Sequence, residues 1–159
     1  MRQKQKTQLG QVGLDGAIAG LIATGPMTVF MLATQRLLPK GHQYALPPEI
    51  ITGELASRMN VRPHLNKPEL LGATLVSHLG YGAGMGMLYS PLSKIPLPSV
   101  IKGILFGVTV WAASYLVLLP MIGMSESGHR EPGTRNLMMI AAHVVWGSVM
   151  GVVADMLIR

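Results

Sequence analysis

The sequence predicts an all-α fold, an integral membrane four-helix bundle built from two tandem two-helix repeats. Three observations carry that expectation. Only 13% of the 159 residues are charged while 49% are hydrophobic, about half the charged share of an ordinary soluble domain. Four apolar segments, residues 14–38, 70–88, 100–122 and 137–158, each reach the ~20 residues that cross a ~30 Å hydrocarbon layer. Two of the segments also match one another: TLVSHLGYGAGMG at residues 74–86 and MIAAHVVWGSVMG at residues 139–151 share a histidine, an aromatic ring three residues on, and glycines at four and eight. The alternating pattern of an outer-membrane barrel is absent. No stretch is left for a soluble domain, so residues 1–159 read as a single transmembrane domain.

The first span follows a basic start, Met1 to Lys6, that resembles a signal peptide. Asp15 interrupts its apolar run, and the run is longer than a signal core, so an uncleaved helix is expected. Pro26 removes a backbone donor and crowds the carbonyl of Ile22, which predicts a kink there, with Thr24 or Thr28 satisfying the freed oxygen. Residues 39–69 form an outer loop. Within it, Leu46 to Leu55 carries a proline start signal and apolar residues at spacings of three and four, the pattern of a short amphipathic helix. That helix is expected on the membrane surface, with a ligand-binding cap as the alternative.

The second span, 70–88, carries His78, and the fourth, 137–158, carries His143. The third, 100–122, ends at Leu118-Leu119-Pro120 as the first ends at Leu37-Leu38-Pro39. Aligning those ends makes two hairpins of like orientation, related by an axis along the membrane normal. The second and fourth helices then face each other or hold equivalent positions. Glycines four residues apart recur in every span, as Gly16 and Gly20, Gly80 and Gly84, Gly82 and Gly86, Gly103 and Gly107, and Gly147 and Gly151. Small residues at that spacing let helix backbones approach closely.

The net charge is +6, but the basic residues are scattered over loops with few aromatics beside them, which excludes a nucleic-acid surface. Arg2, Lys4, Lys6, Lys94, Lys102 and Arg159 lie on the side of the termini, against Arg36, Lys40, Arg58, Arg62, Lys67, Arg130 and Arg135 on the other. The first group sits in much shorter segments, which the positive-inside rule weighs most. Both termini are therefore expected in the cytoplasm, with Glu49, Glu54, Glu69, Glu126 and Glu131 outside.

The candidate site is the repeated pattern itself: His78, Tyr81 and Gly82 in one copy, His143, Trp146 and Gly147 in the other. Each histidine stands above its glycines on one helix face, and ionisable groups inside a bilayer normally face the bundle interior. The plain reading is a neutral imidazole bonded to Thr74, Ser114, Tyr115 or water. The sharper alternative is one b-type haem held between His78 and His143. His64 and His129 lie in polar loops and exclude a second haem. Met121, Met124 and His129 could bind Cu(I), although methionine is also a general apolar filler. Arg130 and Arg135 precede the fourth helix, as Arg62, His64 and Lys67 precede the second, and suit an anion or a lipid headgroup. A pair between Lys102 and Asp155 is expected at the other end of the bundle.

Zero cysteines exclude thiolate chemistry and disulfides. Neither a nucleophile with its base, nor a phosphate loop, nor a zinc spacing occurs. No catalytic residue, resident metal or obligatory cofactor is expected.

Leu46-Pro47-Pro48-Glu49-Ile50, His78 with Tyr81-Gly82, Trp111 before Leu119-Pro120, and Arg130 with Arg135-Asn136 leading to Ala142-His143 and Trp146-Gly147 together resemble the bacterial multi-pass inner-membrane proteins of the YagU kind and neighbouring families of unknown function. That resemblance implies the cytoplasmic membrane and supplies no reaction. The expected role is binding rather than turnover, as a self-associating protein or an accessory subunit of a membrane complex, with lipid and other subunits as partners. A redox protein carrying the haem described above is one alternative. A small oligomeric transporter, with the first helix and both inner histidines along a proton or solute path, is another.

Overall fold

The computed structural model describes residues 2–124 and 127–158, with side chains for 10–89, 91–124 and 127–158. Of the charges used for orientation, Arg2, Lys4, Lys6, Glu126 and Arg159 lie outside the described side chains. All regular structure among the described residues is helical. Helix α1 is Arg2–Gln35, α2 is Pro47–Arg58, α3 is Lys67–Met87, α4 is Ser99–Met121 and α5 is Gly133–Leu157.

Local chemistry explains most of the boundaries. Pro47 and Pro48 open α2 directly after Leu46, where a missing N–H costs nothing. Asn66 and Glu69 close a capping box at the start of α3: Glu69 N–H donates to Asn66 Oδ1 at 3.0 Å, and Asn66 N–H donates to Glu69 Oε2 at 2.8 Å. Such reciprocal bonds satisfy two donors that a helix start leaves open. In α4 the residues Ala113–Leu118 widen into a π turn, with Leu119 N–H bonded to Ser114 O. Pro120 follows directly. In a regular α-helix it would strike the Leu116 carbonyl, and the wider turn moves that carbonyl aside.

Helix α1 continues through Pro26, and the threonine hydroxyls do not serve Ile22. Thr24 donates to Gly20 O at 2.8 Å, and Thr28 donates to Thr24 O at 2.7 Å. The expected helix in the first loop is present as α2.

Three helices are long and apolar enough to cross a membrane: Gly10–Gln35 within α1, Ser99–Met121 and Gly133–Leu157. They mark the chain as a membrane protein. The expected fourth span, α3, has the length at 21 residues but is diluted by Thr74, Ser77, His78, Tyr81 and its glycines, and it falls outside that set.

Packing runs in the order α3, α1, α5, α4, with α1 and α5 at the centre. Glycines make the two flanking contacts. A Cβ added at Gly16 or Gly20 would run into the backbone of Gly86 or Gly82, and one at Gly103 or Gly147 would run into the backbone of the other. Between α1 and α5, Ala19, Ala23, Ala142 and Ala154 are fully buried, and Trp146 Nε1–H donates to Gly20 O at 3.1 Å and Thr24 Oγ1 at 3.2 Å.

This packing departs from a twofold arrangement. An axis that pairs α1 with α5 would equally pair α3 with α4, yet α3 and α4 make no comparable contact. Nor do the second and fourth spans, α3 and α5, pack on each other, because α1 lies between them. The glycine contacts also align Gly16 and Gly20 with Gly103 and Gly107, a different register from that of Pro39 with Pro120. Helix α2 bridges the open side. It packs on α3, and Arg58 at its end donates to Ile122 O at 2.6 Å and Gly123 O at 2.8 Å beyond α4.

Candidate functional site

Where α3 and α4 stand apart, the bundle holds a cavity of about 310 Å³. Its walls come from all five helices. Met27 of α1 and Met85 of α3 lie on one side, Val110 and the π turn of α4 on another, Met139 and Trp146 of α5 at the back, and Ile51 and Leu55 of α2 over the opening. This volume lies at the small end of the range for small-molecule sites. Among the described residues, no Asp, Glu, Lys or Arg lines it.

Both inner histidines line this one space, although they come from helices that do not pack together. Each faces the helix with which its own glycines mesh. His78 Nδ1 lies 3.3 Å from Thr28 Oγ1 on α1, and the His143 ring meets the Tyr115 ring of α4 edge-on at 6.2 Å. His143 Nδ1 lies 2.8 Å from the carbonyl oxygen of Met139. A carbonyl can only accept, so the hydrogen of His143 is on Nδ1. Thr28 gives its own hydrogen to Thr24 O, so His78 also donates through Nδ1. No charged side chain among the described wall residues is placed to pair an imidazolium, so the hydrogen-bond network assigns both rings as neutral Nδ1–H tautomers. Neither Nε2 has a hydrogen-bond partner among the described residues. The partners expected from sequence, Thr74, Ser114 and Tyr115, are replaced by Thr28 and the Met139 carbonyl.

The other polar groups of the walls are tied to each other. Ser114 donates to Val110 O at 2.6 Å, so the 2.5 Å contact between Tyr81 and Ser114 has Tyr81 as donor. Ser77 donates to Thr74 O at 3.0 Å, so Thr52 of α2 donates to Ser77 at 2.9 Å. Helix α2 is thereby fixed to α3 over the cavity.

The repeated residues therefore divide by task. Gly82 and Gly147 serve helix contact, Gly82 against α1 and Gly147 against α4. Tyr81 and Trp146 both reach the cavity, but Tyr81 stays 39% exposed while Trp146 is 3% exposed. The sequence offered α2 as a cap only as the alternative to a surface helix, and α2 lines the cavity; the π turn was missed, and its signal was Pro120 in an otherwise unbroken apolar run.

The two arginines part company. Arg130 is exposed. Arg135 is fully buried, with Nε 2.6 Å from Glu131 Oε2, its remaining nitrogens donating to the carbonyls of His42 and Tyr44 at 3.2 Å and of Ala45 at 3.0 Å, and its guanidinium 3.7 Å from the Tyr44 ring centre. Arg135 is therefore an anchor for the loop that leads into α2, not an anion or headgroup site. Met124 is buried while Met121 is 78% exposed and His129 is exposed, so those three do not converge on a soft ion. The expected pair at the other end is present: Lys102 Nζ lies 3.0 Å from Asp155 Oδ2, which also accepts from Ser99 at 2.6 Å.

The model of the family DUF1440, described as a protein of unknown function, matches residues 18–152, and the chain belongs to that family. No curated protein and no solved structure matches it.

Proposed function

For this member of the DUF1440 family we propose a multi-pass protein of the bacterial inner membrane, with both termini in the cytoplasm, that works by binding rather than turnover as a self-associating or accessory subunit of a membrane complex. Its four membrane helices are two tandem hairpins, a reading supported by the matched glycine contacts, α1 with α3 and α4 with α5. The narrower kinship with proteins of the YagU kind belongs to the same proposal.

One observation carries the binding role. The glycines that face inward are occupied by a neighbouring helix, whereas Gly72, Gly80 and Gly84 of α3 face outward with nothing within 4 Å of an added Cβ. Gly80 and Gly84 repeat the spacing that joins helices inside the bundle. They sit on the one long helix too polar to count among the apolar spans. Such a face gives lipid little to contact and gives another helix a close approach. Residue-specific crosslinking in native membranes, with Gly80→Leu and Gly84→Leu as variants, tests this. Loss of crosslinked species with the helical content intact is expected; an assembly indifferent to both substitutions refutes it.

The haem reading has one observation in its favour, the two open Nε2 atoms in one cavity. Against it, the described residues of the walls include no cation to receive the haem carboxylates, and buried carboxylates need such partners. A Soret band in the purified protein, lost on substituting either histidine, would establish it. The same uncharged walls give a transport path for protons or ions little support.

A further inference from the structure

We infer that the cavity between α3 and α4 is a binding site for a neutral, membrane-soluble aromatic molecule carrying at least one hydroxyl group. This site is separate from the outward glycine face of α3, and either can exist without the other.

The inference rests on which hydrogens the walls have left to offer. Thr52, Ser77, Tyr81, Ser114, Trp146 and both imidazoles each direct a hydrogen to a protein acceptor. With those hydrogens committed, Nε2 of His78 and Nε2 of His143, both on residues that line the space, are left as acceptors with no partner among the described residues. A cavity poor in donors and rich in acceptors rejects a guest that can only accept, because its oxygen would lose water and gain nothing. It favours a guest that brings hydrogens. The described walls carry no charged side chain, which selects a neutral guest. The four methionines 27, 85, 124 and 139, together with Trp146 and Tyr115, are soft and polarisable surfaces that suit an aromatic body. Two acceptors on different helices can hold one hydroxyl each, or share one.

Trp146 lines the cavity and Trp111 does not, so Trp111→Phe leaves a single indole as reporter. The probes are 4-bromophenol and bromobenzene, which share the quenching heavy atom and differ in the hydroxyl. They are titrated in detergent micelles at about pH 7, where a phenol is un-ionised. Saturable quenching by bromophenol, about five-fold tighter than by bromobenzene, is the gain expected from one hydrogen bond made in an apolar site. Substituting both His78→Leu and His143→Leu should remove that difference while leaving bromobenzene quenching in place. Equal quenching by the two probes, or quenching that rises without saturation as each partitions into micelles, overturns the inference. So does a Soret band in the purified protein, since haem iron would then hold both Nε2 atoms. The comparison of probes needs no change at the histidines, so it stands even where the double variant does not fold.

Discussion

Replacing Arg135 by methionine should be among the most damaging single changes in this chain. The side chain is fully buried and its partner Glu131 is 3% exposed, so solvent does not screen the pair. Removing one member of such a pair leaves an uncompensated charge at a cost of about 3–5 kcal/mol. Two features keep the expected loss near the lower bound. Tyr44 still donates to Glu131 at 3.0 Å, and the released carbonyls of His42, Tyr44 and Ala45 lie in a partly exposed loop that can turn to water. A loss of about 3 kcal/mol follows, measurable by equilibrium unfolding in mixed micelles with increasing dodecyl sulfate. Arg135→Lys should fall between, because an ammonium cannot span a carboxylate and three carbonyls as the planar fork does. Adding Glu131→Gln to the methionine variant should recover part of the loss. A single variant within about 1 kcal/mol of the parent, or a double variant no better than the single, would refute the assignment of Arg135 as an internal anchor.

Other substitutions separate the remaining contacts. Trp146→Phe removes the indole bonds to Gly20 and Thr24 and should cost about 1 kcal/mol in the same unfolding assay. Trp111→Phe removes a buried N–H that has no partner among the described residues, and stability should hold or rise. Gly147→Leu forces a side chain into the Gly103 backbone and should destabilise by at least the ~1–3 kcal/mol of an overpacked core; Gly80→Leu, with open space before it, should leave the monomer as stable or raise it by about 1 kcal/mol of helix propensity. A double-mutant cycle on Lys102→Met and Asp155→Asn should return a favourable coupling of about 0.5–3 kcal/mol, and zero coupling would make the pair incidental.

Much of the architecture was readable in advance because lipid imposes simple rules on composition and length. The apolar runs located α4, α5 and the apolar part of α1, Gly10–Gln35, within a few residues, and the Lys102–Asp155 pair followed from two charges near helix ends. The repeat drew attention to His78 and His143 together, and the structure lines one cavity with both. What sequence could not supply was the lateral order of the helices. Glycine spacing marks a face fit for contact but does not name the partner, so Gly80 with Gly84 and Gly82 with Gly86 looked alike until one pair met α1 and the other met nothing. Arg135 was misread for a related reason. An arginine before a helix has the same appearance whether it faces water or is enclosed by Tyr44 and the loop carbonyls, and only the path of residues 40–46 decides. The hydrogen-bond partners of the histidines came from Thr28 on another helix and from the Met139 backbone, neither of which follows from position along the chain.

The π turn in α4 alters the phase of that helix. At 3.6 residues per revolution, one extra residue rotates everything beyond it by about 100°. The segment before the turn is committed by Gly103 and Gly107 to α5. With the added residue, Leu118 and Leu119 wall the cavity; a straight continuation of the same helix would carry them round to a different azimuth. Closing the turn into a regular helix with every residue retained would thus disconnect the two jobs of this helix, leaving its glycine seam in place while turning the wall away, whereas deleting one residue there would straighten the helix with Leu118 and Leu119 still on the cavity side.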